Sequence, residues 1–170
     1  MNPMNRTQKL TTAGVLIALG VALSTFSIPV GASRCFPVQH MVNVMAGVLL
    51  GPGYAVVMAF ITSFLRVMMG TGTLLAFPGS MIGALVAGLV AQRTGGKLLS
   101  SCAGELFGTG VLGAMAAYPV AVFLLGREAA VFTYVIPFAI SSTGGVVIAF
   151  VALSALQRVG AIKSLPASGQ

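Results

Sequence analysis

Residues 33–53 read SRCFPVQHMVNVMAGVLLGPG, and the pattern of this stretch decides how the chain is built. Polar side chains crowd its start, an apolar run of helical length follows, and a Gly-Pro-Gly turn ends it. Pro37 suits the first position of a helix, so we predict a helix over 37–50. Fourteen residues at ~1.5 Å each span roughly 21 Å, less than the ~30 Å hydrocarbon core of a bilayer. Irregular chain before such a short span is tolerated where it is buried in protein or lines a wet cavity.

The composition of the rest of the chain indicates an all-α polytopic membrane protein. The 170 residues are 57% hydrophobic and 6% charged, which leaves too little polar surface to cover a soluble globule. Long apolar runs recur from end to end, so we predict one integral membrane domain, 1–170, built as a bundle of six transmembrane helices. The predicted helices cover roughly 9–28, 37–50, 54–69, 80–93, 102–125 and 131–158.

The basic residues predict the orientation of the chain in the membrane. They sit singly at helix ends and form no patch with interleaved aromatic residues, so a nucleic-acid partner is not expected despite the net charge of +7. Because cytoplasmic loops are rich in Lys and Arg, both termini are predicted to be cytoplasmic. This orientation places Arg34, Arg66 and Arg127 at the outer face, with Arg6, Lys9, Arg93, Lys97, Arg158 and Lys163 inside.

A small-molecule site is expected near the outer face, where the chain before helix 2 and the loop 70–79 converge. Gln39, His40 and Asn43 share one face of helix 2 and can hydrogen-bond a small heteroaromatic ring or an alcohol. Alternatively, these groups only cap the helix or satisfy loop carbonyls. Phe36 and Phe77 are candidates to stack on a ring. The complete predicted binding set is Arg34, Phe36, Gln39, His40, Asn43, Phe77, Ser80, Tyr118 and Tyr134.

Two of these residues, and one further arginine, allow a simpler interpretation. Tyr118 precedes a proline that can kink helix 5, and Tyr134 suits an interfacial anchor. Arg66 either extends to the lipid headgroups or turns inward to order the outer loops.

Several kinds of chemistry are missing from the sequence. No phosphate-binding GxxxxGK[ST] loop is present, and one His, two Cys and two acids do not readily build a metal site. We therefore expect no catalytic residues, cofactor or metal, although an intramembrane Ser80–His40 hydrolase stays open. Glu105 is expected near a cytoplasmic helix end and Glu128 in an outer turn, so neither suits proton coupling across the membrane.

Small residues line one face of helix 1. Gly14, Ala18 and Ala22 recur at four-residue spacing, which lets another helix approach closely in lipid. Spacing alone leaves two partners open, another protein or the chain's own helices.

Three long motifs closely resemble the ThiW family: CFPVQHMVNVMAGVLLGPGYA, AFITSFLR and GTGTLLAFPGSMIGALVAGL. The resemblance runs from about Thr12 to Arg158. It implies the substrate-binding (S) component of an energy-coupling factor (ECF) transporter in a prokaryotic cell membrane. Such a component has six helices and captures the thiamin precursor hydroxyethylthiazole under outer loops. It is thought to topple in the membrane to release its substrate inside.

The resemblance also implies partners, namely a transmembrane coupling protein and two ATPase subunits. In that class a small-residue Ala-x-x-x-Ala motif on helix 1 contacts the coupling protein, and Ala18–Ala22 fits it, with Gly14 one turn earlier. The ring substrate stays open between thiazole, thiamin and a pyrimidine. The alternative function is a solitary membrane carrier or facilitator that works without ATPases.

Overall fold

The computed structural model describes residues 4–30 and 33–160, which form a helical bundle with one short hairpin. Lys163, one of the predicted cytoplasmic bases, lies outside the described residues. The helix Leu98–Leu124 is continuous and contains π-helical turns at Gly108–Gly113 and Val120–Leu124. The elements are α1 (Arg6–Ala22), a 3₁₀ turn (Leu23–Thr25), β1 (Ile28–Val30), β2 (Ser33–Cys35), α2 (Pro37–Leu50), α3 (Pro52–Met68), α4 (Ala76–Arg93), α5 (Leu98–Leu124) and α6 (Val135–Arg158).

The predicted bounds of helix 2 are confirmed, whereas those of helix 1 were wrong at its end. The helix stops at Ala22, and Ile28–Val30 pairs antiparallel with Ser33–Cys35 instead of continuing it. The hydroxyl of Ser24 donates to the carbonyl of Val21, which competes with continued α-helix. Ile28 precedes a proline, and this position disfavours the helical conformation.

Three other helix starts differ from the prediction by four residues, and one of them is that of α5, which begins at Leu98 and not at 102. Helix α4 begins at Ala76, four residues before the predicted start, because Pro78 is tolerated in a first turn where no backbone donor is needed. The predicted loop 70–79 is therefore a shorter segment, and its second half is helix. Helix α6 begins at Val135 and not at 131.

Helix α2 is the centre of the bundle. Eleven of its fourteen residues are buried, and it packs against α3, α4 and α6. Close approach depends on glycines: a Cβ on Gly47 would lie 2.9 Å from the backbone nitrogen of Gly88, and one on Gly145 would lie 2.5 Å from Cβ of His40. Helices α4 and α5 meet in the same way at Gly79 and Gly113. Small residues at such contacts are what brings helices together in lipid.

The outside of the bundle is apolar. Large hydrophobic side chains are exposed on α3, α5 and α6, among them Phe60, Phe64, Phe123, Ile136 and Val147. Such a surface fits contact with lipid better than contact with water. Within the described part of the chain, three helices are long and apolar enough to cross a membrane, and two shorter helices are also apolar. The three are Arg6–Thr25, Leu98–Leu124 and Val135–Arg158; the shorter two are Pro37–Leu50 and Pro52–Met68.

Candidate functional site

A polar cavity of about 610 Å³ opens at one end of the bundle. It lies where α1 and α3 end and where α2, α4 and α6 begin, and the β1–β2 hairpin and the segment 70–73 border it. Its volume is within the ~300–1,000 Å³ range of small-molecule sites. The turn that follows α5 adds Arg127, so every helix of the bundle has an end at or beside this cavity.

Most of the predicted binding residues line this one cavity, although they come from four different parts of the chain. The backbone N–H of Phe36 donates to the hydroxyl of Ser141 at 2.8 Å, which ties the start of α2 to α6. This bond holds the backbone of Phe36 at the cavity wall. The predicted residues found in the lining are Arg34, Phe36, Gln39, His40, Ser80 and Tyr134.

Asn43 lies one layer beneath the cavity, where its amide is fully used inside the protein. Its Nδ2 donates to the carbonyl of Ser80 at 3.2 Å and to Oε1 of Glu105 at 3.0 Å, and its Oδ1 accepts from the hydroxyl of Ser80 at 3.1 Å. Asn43 thus links α2, α4 and α5, and the interpretation in which it satisfies groups of the protein itself describes it well.

Phe77 and Tyr118 are placed away from the cavity lining. The ring of Phe77 packs against Phe60 with the centroids 5.5 Å apart. Tyr118 borders a separate shallow depression together with Arg127 and Glu128. Of the two aromatic candidates for stacking on a ring ligand, Phe36 is therefore the one in position to do so.

The expectation that Glu105 sits near a helix end was wrong. Helix α5 begins at Leu98, two turns earlier, and the Glu105 side chain has no exposed surface. Its Oε1 lies 2.9 Å from Nδ1 of His40 and accepts from the hydroxyl of Thr109 at 2.9 Å as well as from Asn43. A Cβ on Gly83 would lie 2.7 Å from Oε2, so glycine at this position leaves space for the Glu105 carboxyl group. The sequence contained one indication of this contact, because Glu105 and Thr109 are four residues apart and therefore share one face of a helix.

The hydroxyl of Ser80 donates to Asn43, and no hydrogen bond joins it to His40 among the residues that the structure describes. The Ser80–His40 hydrolase therefore lacks the contact that would activate the serine. Within the same residues, no group of three His, Cys, Asp or Glu side chains could hold a metal ion. Both cysteines are free and buried, and burial raises the pKa of the Cys35 thiol.

Arg66 turns inward and lines the cavity. The guanidinium carbon lies 4.4 Å from the centroid of the Phe36 ring, and Nη2 donates to the carbonyl of Thr71 at 3.4 Å. The backbone N–H groups of Thr71 and Gly72 donate to the carbonyl of Arg66, and the Thr71 hydroxyl shares a hydrogen bond of 3.0 Å with Ser24. Of the two interpretations of Arg66, ordering of the outer loops is the one these contacts support.

The small-residue face of α1 is exposed in the part of the chain that the structure describes. Gly14, Ala18 and Ala22 are exposed, while Ala13 and Leu16 on the other side of the helix are buried. A Cβ on Gly14 would meet nothing within 4 Å. Packing against helices of the same chain therefore does not account for this stripe in the described structure.

Comparison with known families agrees with this architecture. The family model described as "Thiamine-precursor transporter protein (ThiW)" matches residues 10–159, most of the chain. No curated protein and no solved structure matches. The matched residues include the helices that surround the cavity as well as the face of α1 that the chain leaves uncovered. The chain therefore belongs to the ThiW family of thiamine-precursor transporters.

Proposed function

We propose that this chain is the S component of an ECF transporter and that its polar cavity captures hydroxyethylthiazole or a near relative. The observation that carries the proposal is the cavity itself, in which an aromatic ring, an imidazole and an amide face one space of about 610 Å³. Family membership supplies the substrate class, a thiamine precursor.

The lining offers a partner for each part of such a ligand. Phe36 would stack on the thiazole ring, because a flat heteroaromatic ring packs well on an aromatic face. Gln39 and His40 would hydrogen-bond the ring nitrogen or the hydroxyl. The Nδ1 of His40 is already engaged with Glu105, which leaves the other nitrogen for the ligand. Asn43 and Ser80 would support this wall from behind.

The exposed small-residue face of α1 would dock the transmembrane coupling protein, which in turn recruits two ATPase subunits. Gly14, Ala18 and Ala22 are exposed in the described structure, so a partner helix can approach closely there. The absence of a nucleotide-binding loop from the sequence fits a component that relies on separate ATPases.

The proposed topology has six spans in a prokaryotic cell membrane, with both termini in the cytoplasm and the cavity at the outer face. Lys9 lies over the ring of Tyr54 at 5.9 Å, so the start of α1 is beside the start of α3. Twelve residues of α3 separate Tyr54 from Arg66, a distance of roughly 18 Å along the helix. The Lys9 end and the cavity are thus opposite ends of the bundle, as the distribution of basic residues predicts.

Calorimetry of hydroxyethylthiazole with the purified protein in nanodiscs tests the substrate. Binding to the wild-type protein, weakened about tenfold or more in Phe36→Leu, is the expected result. Phe77→Leu is the matched control, since that ring packs on Phe60 outside the cavity and its loss leaves the affinity unchanged. No binding by the wild-type protein would reject the substrate, and equal effects of the two variants would reject the site.

A solitary carrier is the second candidate, and one observation favours it. Glu105 and His40 form a buried acid–base pair next to the cavity, which is the kind of group that proton-coupled carriers use within the membrane. Uptake of labelled hydroxyethylthiazole into liposomes that contain this chain alone would establish the carrier. Uptake that requires the coupling protein, ATPases and ATP would establish the S component.

A further inference from the structure

The cavity is lined by positive charge with no acid to balance it. Arg34, Arg66 and Arg127 all contribute to the lining, and none of the described lining residues is Asp or Glu. The chain has only two acids, both within the described residues. Glu105 is buried below the cavity against His40, and Glu128 is in the exposed turn after α5.

Arg66 carries the strongest signal, because a buried cation normally has a partner for every N–H group. Its side chain is 1% exposed, and neither Nε nor Nη1 has a hydrogen-bond partner among the described residues. The ring of Phe36 and the carboxyl end of α3 compensate part of the charge. Neither of them accepts a hydrogen bond from the three N–H groups on Nε and Nη1, and unsatisfied buried donors are costly.

The shape of the guanidinium indicates which kind of ligand group would accept its unpartnered N–H groups. Arginine binds the paired oxygens of a phosphate or carboxylate through either of two planar edges, Nε with Nη2 or Nη1 with Nη2, and each edge of Arg66 contains one of the two unpartnered nitrogens. The exposed Arg34 and Arg127, on the same cavity, add long-range attraction for an anion. The cavity is also larger than one five-membered ring with a two-carbon side chain requires.

We infer that the preferred ligand of this cavity is an anionic form of the heteroaromatic alcohol, in which a phosphate monoester or similar oxyanion accepts from an unpartnered N–H group of the Arg66 guanidinium. This inference rests on the proposed function for the ring and adds the charged substituent. The ring then lies between Phe36 and His40, and the oxyanion lies against Arg66 with Arg34 and Arg127 at the mouth.

The test measures a ratio of affinities, which a purely structural role for Arg66 would not change. The probes are hydroxyethylthiazole, its phosphate monoester and inorganic phosphate, each titrated into the nanodisc protein at low salt. The monoester is expected to bind wild type at least tenfold more tightly than the alcohol. In Arg66→Gln this preference is expected to vanish while the affinity for the alcohol is retained.

Two further variants keep the test informative if Arg66→Gln folds poorly. Arg66→Lys retains the charge but loses the planar fork, so it should keep a reduced preference for the monoester. Arg34→Gln changes an exposed residue of the lining and should lower the preference a few-fold, more at low salt than at high salt. Arg93→Gln is the matched control, because that arginine is exposed in the last turn of α4 and does not line the cavity.

The outcomes separate this inference from the proposed function. If the alcohol binds as tightly as the monoester, or if the preference survives in Arg66→Gln, the anionic ligand is wrong and the thiazole proposal stands. If neither thiazole binds but inorganic phosphate raises the melting temperature of wild type and not of Arg66→Gln, the anion site stands and the thiazole is wrong. If none of the three probes binds, both are wrong.

Discussion

Nδ1 of His40 lies 2.9 Å from Oε1 of Glu105, although 65 residues separate the two in the chain. The pair joins α2 to α5 directly beneath the cavity that His40 lines. The same oxygen accepts from Asn43 and Thr109, so one carboxylate oxygen collects contacts from two helices. This arrangement makes Glu105 the centre of a buried hydrogen-bond network that joins α2 to α5.

Removing the Glu105 carboxylate is expected to destabilise the protein. Glu105→Ala leaves a buried void and takes the shared acceptor from three neighbours, a loss of about 2–4 kcal/mol in the free energy of unfolding. Glu105→Gln keeps the shape and one oxygen, so a smaller loss is expected. Thermal unfolding in detergent, followed by intrinsic tyrosine fluorescence, measures both.

Glu128→Gln is the control for that experiment, because Glu128 lies in an exposed turn and its loss should leave the melting temperature unchanged. An alanine at position 105 with wild-type stability would contradict the hydrogen-bonded network described for α2 and α5.

The contact of α6 with α2 should not tolerate even one methyl group. In Gly145→Ala the new Cβ would lie 2.5 Å from Cβ of His40, so α6 must move away, at a cost of about 1–3 kcal/mol. Gly53→Ala is the matched control, since an added Cβ there meets nothing within 4 Å and alanine favours the helix. The two melting temperatures are compared side by side, and a stable Gly145→Ala protein would show that this helix contact is looser than described.

The segment between α3 and α4 is expected to depend on Thr71. Its hydroxyl, which has one proton to donate, lies 3.2 Å from the carbonyl of Arg66 and 3.0 Å from the hydroxyl of Ser24, and these contacts tie the segment to the ends of α3 and α1. Thr71→Val removes both contacts, at a cost of about 1 kcal/mol for each hydrogen bond lost. Protease sensitivity between α3 and α4 should rise, and unchanged cleavage would mean that the backbone bonds to Arg66 hold the segment alone.

Bulk on the exposed face of α1 should disturb assembly and not substrate binding. Ala18 is exposed in the described structure and does not line the cavity, so ligand affinity of Ala18→Leu in the isolated protein should stay at the wild-type value. Under the proposed S-component function, co-purification with an ECF coupling protein and its ATPases should fall several-fold, because leucine would block the close helix approach.

Ala155→Leu is the control for the docking face, as it enlarges an exposed alanine on α6 instead. Co-purification that is equally reduced by both variants would place the partner elsewhere on the bundle.

Local patterns in the sequence were sufficient to predict much of this protein. The apolar run and the turn signals around α2 predicted its bounds, since a proline at its start and a Gly-Pro-Gly turn at its end leave little choice. The polar face of the same helix predicted which wall of a cavity it would form. Composition predicted the helical membrane class, because an apolar chain in lipid must satisfy its backbone within helices.

Tertiary structure decided what those polar groups face. Glu105 was expected at a helix end and is instead buried against His40, because the room for it is made by Gly83 on a different helix. From the sequence, Arg66 could either extend to the lipid headgroups or turn inward. Its contacts with the ring of Phe36 and with the segment after α3 show that it turns inward. Sequence alone thus determined where the polar side chains lie along the chain and which helices are apolar. The packing of the helices determined which side chain each polar group contacts. Those contacts join residues tens of positions apart, and they depend on how closely glycines let the helices approach.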